Sequence, residues 1–80
     1  MISATLYTTL GCHLCDEAKL LLVDLVENGL ELSLTEIDIA DSDDLIEQYG
    51  IRIPVIRTAG SEDDLGWPFN SQQLQTYLTT

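Results

Sequence analysis

Tyr7-Thr8-Thr9-Leu10-Gly11-Cys12-His13-Leu14-Cys15-Asp16 decides how the rest of the chain is read. Before it, Ile2 to Thr9 is rich in β-branched residues, with Tyr7 among them, which is a strand pattern. After it the apolar period changes. Between Cys12 and Asn28, Leu14, Ala18, Leu21, Leu22, Leu25 and Val26 recur at three- and four-residue steps, one face of a helix. Gly11 breaks the strand, so Cys12 and Cys15 fall at a strand-to-helix junction. They are the only two cysteines in the chain, and any sulfur chemistry happens there.

That position matters because a cysteine attacks a disulfide as the thiolate. An ordinary thiol, with a pKa of about 8.5, is ionised only to a few per cent at neutral pH. At the first turn of a helix, unpaired backbone N–H groups and the helix dipole stabilise negative charge. Three residues on, Cys15 comes round to the same side. It is placed to attack a mixed disulfide formed on Cys12 and release the reduced partner. His13, as a cation, would lower the pKa of Cys12; Asp16 and Glu17 push the other way by like-charge repulsion. The alternatives for the pair are inert thiols or part of a metal site. A mononuclear zinc site needs about four ligands. The chain offers Cys12, Cys15 and His13 with no other Cys or His, so the metal reading is a site completed, unusually, by a carboxylate, or a metal or iron-sulfur cluster shared across a dimer.

Outward from the junction, Gly29 stops the helix at a residue that tolerates the left-handed conformation. Leu30 to Ile39 reads as a second strand. Its alternation Leu30, Leu32, Leu34 slips phase to Ile37 and Ile39, as in a bulge or a central strand buried on both faces. Asp41 or Ser42 caps a short helix through Tyr49, with Leu45, Ile46 and Tyr49 inward and Asp43 and Asp44 at the positive end of its dipole. Gly50 ends it. Ile51 to Thr58 is a third strand interrupted by Pro54, Ala59 to Asp64 an acid-loaded turn, and Leu65-Gly66-Trp67 a brief fourth strand. Asn70 caps a last helix, Gln73 completes a capping box, and Leu74, Tyr77 and Leu78 face inward. The order β-α-β-α-β-β-α implies a parallel front pair with a right-handed crossover and a closing antiparallel hairpin. The expected fold is α/β: one four-stranded mixed sheet flanked by helices, a single domain over residues 1–80.

Eighty residues leave no room for a second domain and bury a modest core. A hydrophobic fraction of 45% suits a folded globule rather than a disordered tail. The net charge is −11, with 14 acids against Lys19, Arg52 and Arg57. That balance argues against a nucleic acid or an anionic membrane as partner. Met1-Ile2-Ser3-Ala4 lacks the basic and apolar regions of a secretory leader, and Leu20 to Val26, broken by Asp24, is too short to span a bilayer. A monomer in the cytoplasm is the expectation, where a close dithiol more often means redox or metal chemistry than structural stapling.

Ile53-Pro54 interrupts a strand where proline is costly. Downstream of a strand, a Cys-x-x-Cys and a helix, it is expected to be cis. It would turn the backbone of Ile53 toward the Cys12 sulfur and offer its N–H and C=O to an extended substrate, as in strand addition. The alternative is an edge-strand proline with no partner role.

Leu6-Tyr7, Cys12-His13-Leu14-Cys15-Asp16, Tyr49-Gly50-Ile51-Arg52-Ile53-Pro54-Val55 and Trp67-Pro68-Phe69 together resemble the thioredoxin and glutaredoxin superfamily. More narrowly they look like a family of very small bacterial glutaredoxin-like domains, over essentially the whole chain. The resemblance implies a minimal thioredoxin/glutaredoxin fold and a thiol-disulfide oxidoreductase, with Cys12 attacking, Cys15 resolving and Pro54 as the cis-proline. His13, Arg52, Ile53, Pro54 and Phe69 would face the substrate, a protein or small-molecule disulfide. Glutathione or a thioredoxin-type reductase would supply electrons, with no tightly bound cofactor and no metal.

The departures are specific. Glutaredoxins that use glutathione usually carry a basic residue before the first cysteine, and a paired-glycine turn followed by an acid at the start of the last helix. Here those places hold Gly11 and Trp67-Pro68-Phe69-Asn70-Ser71. Arg52 and the N–H groups after Asn70 are what is left to receive a carboxylate. Thioredoxins usually carry a buried acid in the strand before the first cysteine; Ile2 to Thr9 contains none, so a proton acceptor for Cys15 is missing. Trp67 and Phe69 also have a simpler use, packing the last helix on the sheet. From a different class, a redox-inactive adaptor would use the same face to hold a partner.

Overall fold

The computed structural model describes residues 2–50 and 52–79. Met1, Thr80 and Ile51, the expected first residue of the third strand, lie outside the described residues. The elements run β1 (Ile2–Thr8), α1 (His13–Glu27), β2 (Leu32–Asp38), a 3-10 turn (Ile39–Asp41), α2 (Asp43–Tyr49), β3 (Val55–Thr58), β4 (Leu65–Gly66) and α3 (Ser71–Thr79). The sheet order is β2-β1-β3-β4. β1 and β2 are parallel, while β1–β3 and β3–β4 are antiparallel, as the front crossover and the closing hairpin require.

Alternation along the strands divides the interior. Ala4 and Leu6 of β1 and Ile56 of β3 meet Ala18, Leu22 and Leu25 of α1, Leu74 and Leu78 of α3, and Phe69. On the opposite face, Val55 packs with Tyr49 of α2, Ile39 of the 3-10 turn and half-buried Tyr7. The last helix is capped reciprocally: the Gln73 N–H donates to Asn70 Oδ1 at 2.8 Å, and the Asn70 N–H to Gln73 Oε1 at 3.0 Å.

Three expectations are corrected. The buried stripe of α1 is Cys15, Ala18, Leu22 and Leu25. It is rotated from the predicted face, so Leu14 and Val26 are 45% and 44% exposed. The phase slip in the second strand is neither a bulge nor two-sided burial. β2 is an edge strand, paired without interruption from Ile2–Leu32 to Thr8–Asp38 and largely exposed on both faces. The strand ends at Asp38, whose carboxylate accepts from the Ala40 N–H at 2.9 Å, and Ile39 is buried in the turn that follows. Ile46 is 44% exposed, because α2 turns Leu45 and Tyr49, one helical turn apart, inward.

Candidate active site

Gly11, at φ +78°, makes the corner between β1 and α1, a left-handed conformation for which a side chain is unsuited. Cys12 follows as the N-cap residue of α1 in an extended conformation. Its Sγ accepts the Cys15 N–H at 3.1 Å, one of the donors that a helix start leaves without an intrahelical partner. The two cysteines are joined as a disulfide, their Cα atoms 5.2 Å apart. Cys12 is half-buried, whereas Cys15 is only 1% exposed. Access thus differs between the sulfurs, and only Cys12 is open to a second molecule. No charged side chain is buried among the described residues, so none lies in the interior to take a proton from Cys15.

Register places the proline bend at the same end of the sheet. Tyr7 pairs with Val55, so Pro54 stands across from Thr8, where β1 runs out toward Gly11 and Cys12. The Ile53–Pro54 bond is cis. The Trp67 N–H donates to the Pro54 carbonyl at 3.0 Å, which carries the β3–β4 ladder one step further and brings Trp67-Pro68-Phe69 to that end too. Trp67–Pro68 is a second cis bond, which sequence reasoning missed. Its only signal was the proline itself, since cis bonds are essentially confined to X-Pro.

His13 opens α1 and is exposed beside the disulfide. Leu10 and Leu14, two residues to either side of Cys12, are 90% and 45% exposed; the first was not singled out from the sequence.

The remaining expected site residues, Arg52, Ile53 and Phe69, all have partners within the chain. The Arg52 guanidinium makes a two-pronged pair with the Asp64 carboxylate, Nη1 to Oδ2 at 3.2 Å and Nη2 to Oδ1. It also lies 5.9 Å from the centroid of the Tyr49 ring. Its hydrogen bond to Asp64 holds it further above its ordinary pKa. Register extended from Ile56–Leu65 sets Asp64 opposite Arg57, and Arg52 lies along β4 past Gly66 to reach that acid. The Ile53 N–H is also occupied, donating to the Tyr49 carbonyl at 3.1 Å beside the Arg52 N–H at 2.8 Å. The backbone donor expected for an extended substrate is therefore used within the chain. Phe69 is 5% exposed, belongs to the core cluster and packs edge-on to Trp67, ring centroids 5.1 Å apart.

The other two cations are likewise engaged. Lys19 Nζ lies 2.8 Å from Glu36 Oε1, and Arg57 Nε donates to the Ser61 carbonyl at 2.9 Å. Tyr7 stacks on Tyr49 at 4.3 Å, and burial first, then Tyr49, raises its hydroxyl pKa.

No curated protein matches the sequence significantly. Among solved structures, the X-ray structure of target protein XcR50 from X. campestris is 34% identical, covers 95% of each chain and superposes with a TM-score of 0.81. The solution structure of Ne2328 from Nitrosomonas europaea is 24% identical over 96% of this chain and 91% of that one, TM-score 0.77. Desulfothioredoxin from Desulfovibrio vulgaris Hildenborough, in its reduced form, shares the fold at 12% identity, TM-score 0.72, over 98% of this chain and 79% of its own. The family model for the glutaredoxin-like domain (DUF836) matches residues 3–79. With a strand, a Cys-x-x-Cys at a helix start and a cis-proline at one end of a four-stranded mixed sheet of thioredoxin-like fold, the chain belongs to the glutaredoxin-like domain family (DUF836).

Proposed function

We propose that the protein is a thiol-disulfide oxidoreductase working through Cys12 and Cys15. One observation carries this reading: an accessible Cys12 whose Sγ receives the Cys15 N–H at the amino end of a 15-residue helix, with buried Cys15 directly behind it. In the reduced protein that N–H and the helix dipole favour the Cys12 thiolate. The thiolate attacks one sulfur of a substrate disulfide, forms a mixed disulfide and expels the other sulfur as a thiolate, which takes a proton from water. Cys15 then gives its proton to water, attacks the Cys12 Sγ and expels the second substrate sulfur as a thiolate, which takes a proton from water in turn. Two electrons pass to the substrate, and Cys12 and Cys15 end as a disulfide.

No bound cofactor takes part in these steps. A thiol or dithiol donor restores the reduced form, with glutathione and a thioredoxin-type reductase as the two candidates. The cytoplasm, where such donors are abundant, is the matching compartment.

The test is single-turnover reduction of a protein disulfide or a mixed glutathione disulfide by the pre-reduced protein, with Cys12→Ser as control. The wild type reacts and the variant does not. Equal rates for both would remove the reading.

A further inference from the structure

We infer that the substrate of this dithiol is a polypeptide disulfide flanked by apolar and basic residues, and that glutathione disulfide is a poor substrate. The inference rests on the oxidoreductase reading and narrows its substrate class. Two independent features of the surface carry it.

The first is the apolar rim. Leu10 is 90% exposed and Leu14 45% exposed, bracketing the half-buried Cys12, and Pro68 is exposed at the same end of the sheet. Leu10 gains most from contact with another apolar group, because nearly all its area is still in water, and Leu14 adds about half of its own. A substrate with an apolar residue next to its disulfide covers them; a small polar tripeptide does not.

The second is charge. Glutathione is anionic and is held through its carboxylates, which calls for cations or free N–H groups. Lys19 pairs with Glu36, Arg52 with Asp64, and Arg57 bonds the Ser61 carbonyl; the Ile53 N–H is occupied by Tyr49, and at the start of α3 the Asn70 and Gln73 N–H groups are taken up by their reciprocal cap. All three lysine and arginine side chains are thus engaged, which leaves His13 beside the disulfide as the one further basic group. Against them, Asp16 and Glu17 are exposed in the first turns of α1 beside the disulfide, on a chain of net charge −11. That field attracts lysine- or arginine-bearing segments and repels an anionic tripeptide.

The test uses the full chain, reduced with dithiothreitol and freed of it, in single turnover against three disulfides. These are glutathione disulfide, neutral bis(hydroxyethyl) disulfide, and a disulfide-linked peptide with leucine and lysine beside its cysteine. Each rate is divided by that of dithiothreitol with the same disulfide, which removes intrinsic reactivity. The normalised rate for the peptide is expected to exceed that for glutathione disulfide by about tenfold or more, the lower end of electrostatic steering. The margin shrinks at high salt, where exposed charges are screened. Leu10→Ser lowers the peptide rate, whereas Val23→Ser, which removes an exposed apolar side chain two turns into α1 beyond the disulfide, does not. A normalised glutathione rate equal to the peptide's, or a peptide rate indifferent to Leu10→Ser, overturns the inference while the oxidoreductase reading stands. Failure to react with all three, the neutral disulfide included, overturns both.

Discussion

Replacing Phe69 separates a core role from a substrate role. The ring is 5% exposed, in the cluster with Leu6, Leu22, Leu74 and Leu78, and edge-on to Trp67. Truncation of such a residue to alanine costs about 3–5 kcal/mol. A chain of 80 residues has only about 4–12 kcal/mol of stability in total, at roughly 0.05–0.15 kcal/mol per residue. Phe69→Ala therefore risks unfolding the domain. Phe69→Leu keeps the site apolar and most of its volume. It should cost about 1–1.5 kcal/mol for the change of shape, plus roughly 0.5–1.5 kcal/mol for the lost edge-to-face pair. At about 4–8 °C per kcal/mol, the melting temperature should fall by on the order of 10 °C. The assay is urea and thermal unfolding by far-ultraviolet circular dichroism, beside the rate of Cys12 alkylation in native buffer. The expected result is a lower midpoint, an unchanged denaturant slope and an unchanged alkylation rate. A Phe69→Leu protein as stable as wild type but slower toward disulfides would refute the placement of Phe69 in the core and return it to the substrate surface.

Three further outcomes follow from particular contacts. Arg52→Gln should lose no more than about 1 kcal/mol, since its pair with Asp64 is partly exposed. It should leave the rate with glutathione disulfide unchanged; a clear loss of that rate would show the guanidinium to be a carboxylate receptor after all. A Cβ added at Gly50 would lie 2.4 Å from the Ile46 carbonyl oxygen, so Gly50→Ala should destabilise by about 1–3 kcal/mol, measured by urea titration. A neutral or stabilising result would contradict that close approach. The Tyr7 pKa is raised by burial and by Tyr49, so the folded chain holds this proton more tightly than the unfolded one. Its contribution to stability is therefore whole below the ordinary tyrosine pKa of about 10 and fades as pH rises through the folded value. Tyr7→Phe should flatten the alkaline limb of stability against pH, and an identical limb would assign that loss to another group.

The junction at Cys12 was legible because the apolar period changes there from strand to helix, and the element order followed from glycines, caps and strand lengths. Asn70 and Gln73 announced their capping box through local spacing alone. What could not be read were contacts that depend on register. Arg52 and Asp64 are twelve residues apart, and only the β3–β4 hairpin sets the acid where the guanidinium can fold back to it. The same holds for the Ile53 N–H, which is intercepted by the last carbonyl of α2. Leu14 and Val26 lie off the buried face of α1 because Cys15, rather than Leu14, begins the stripe, and period alone does not choose between neighbouring starts. The edge position of β2 was hidden for a similar reason: isoleucines at 37 and 39 look like one strand, yet the second belongs to the turn capped by Asp38.

The central claim is that the start of α1 ionises Cys12. The most direct measurement is the rate of alkylation of reduced protein against pH, with Cys15→Ser as a parallel sample so that a single thiol is observed. A helix-activated thiol should show its midpoint well below the free value of about 8.5, within the range of roughly 3.5–7.5 seen at helix amino ends. A midpoint at or above about 8.5 would contradict the claim and leave Cys12 an ordinary surface thiol.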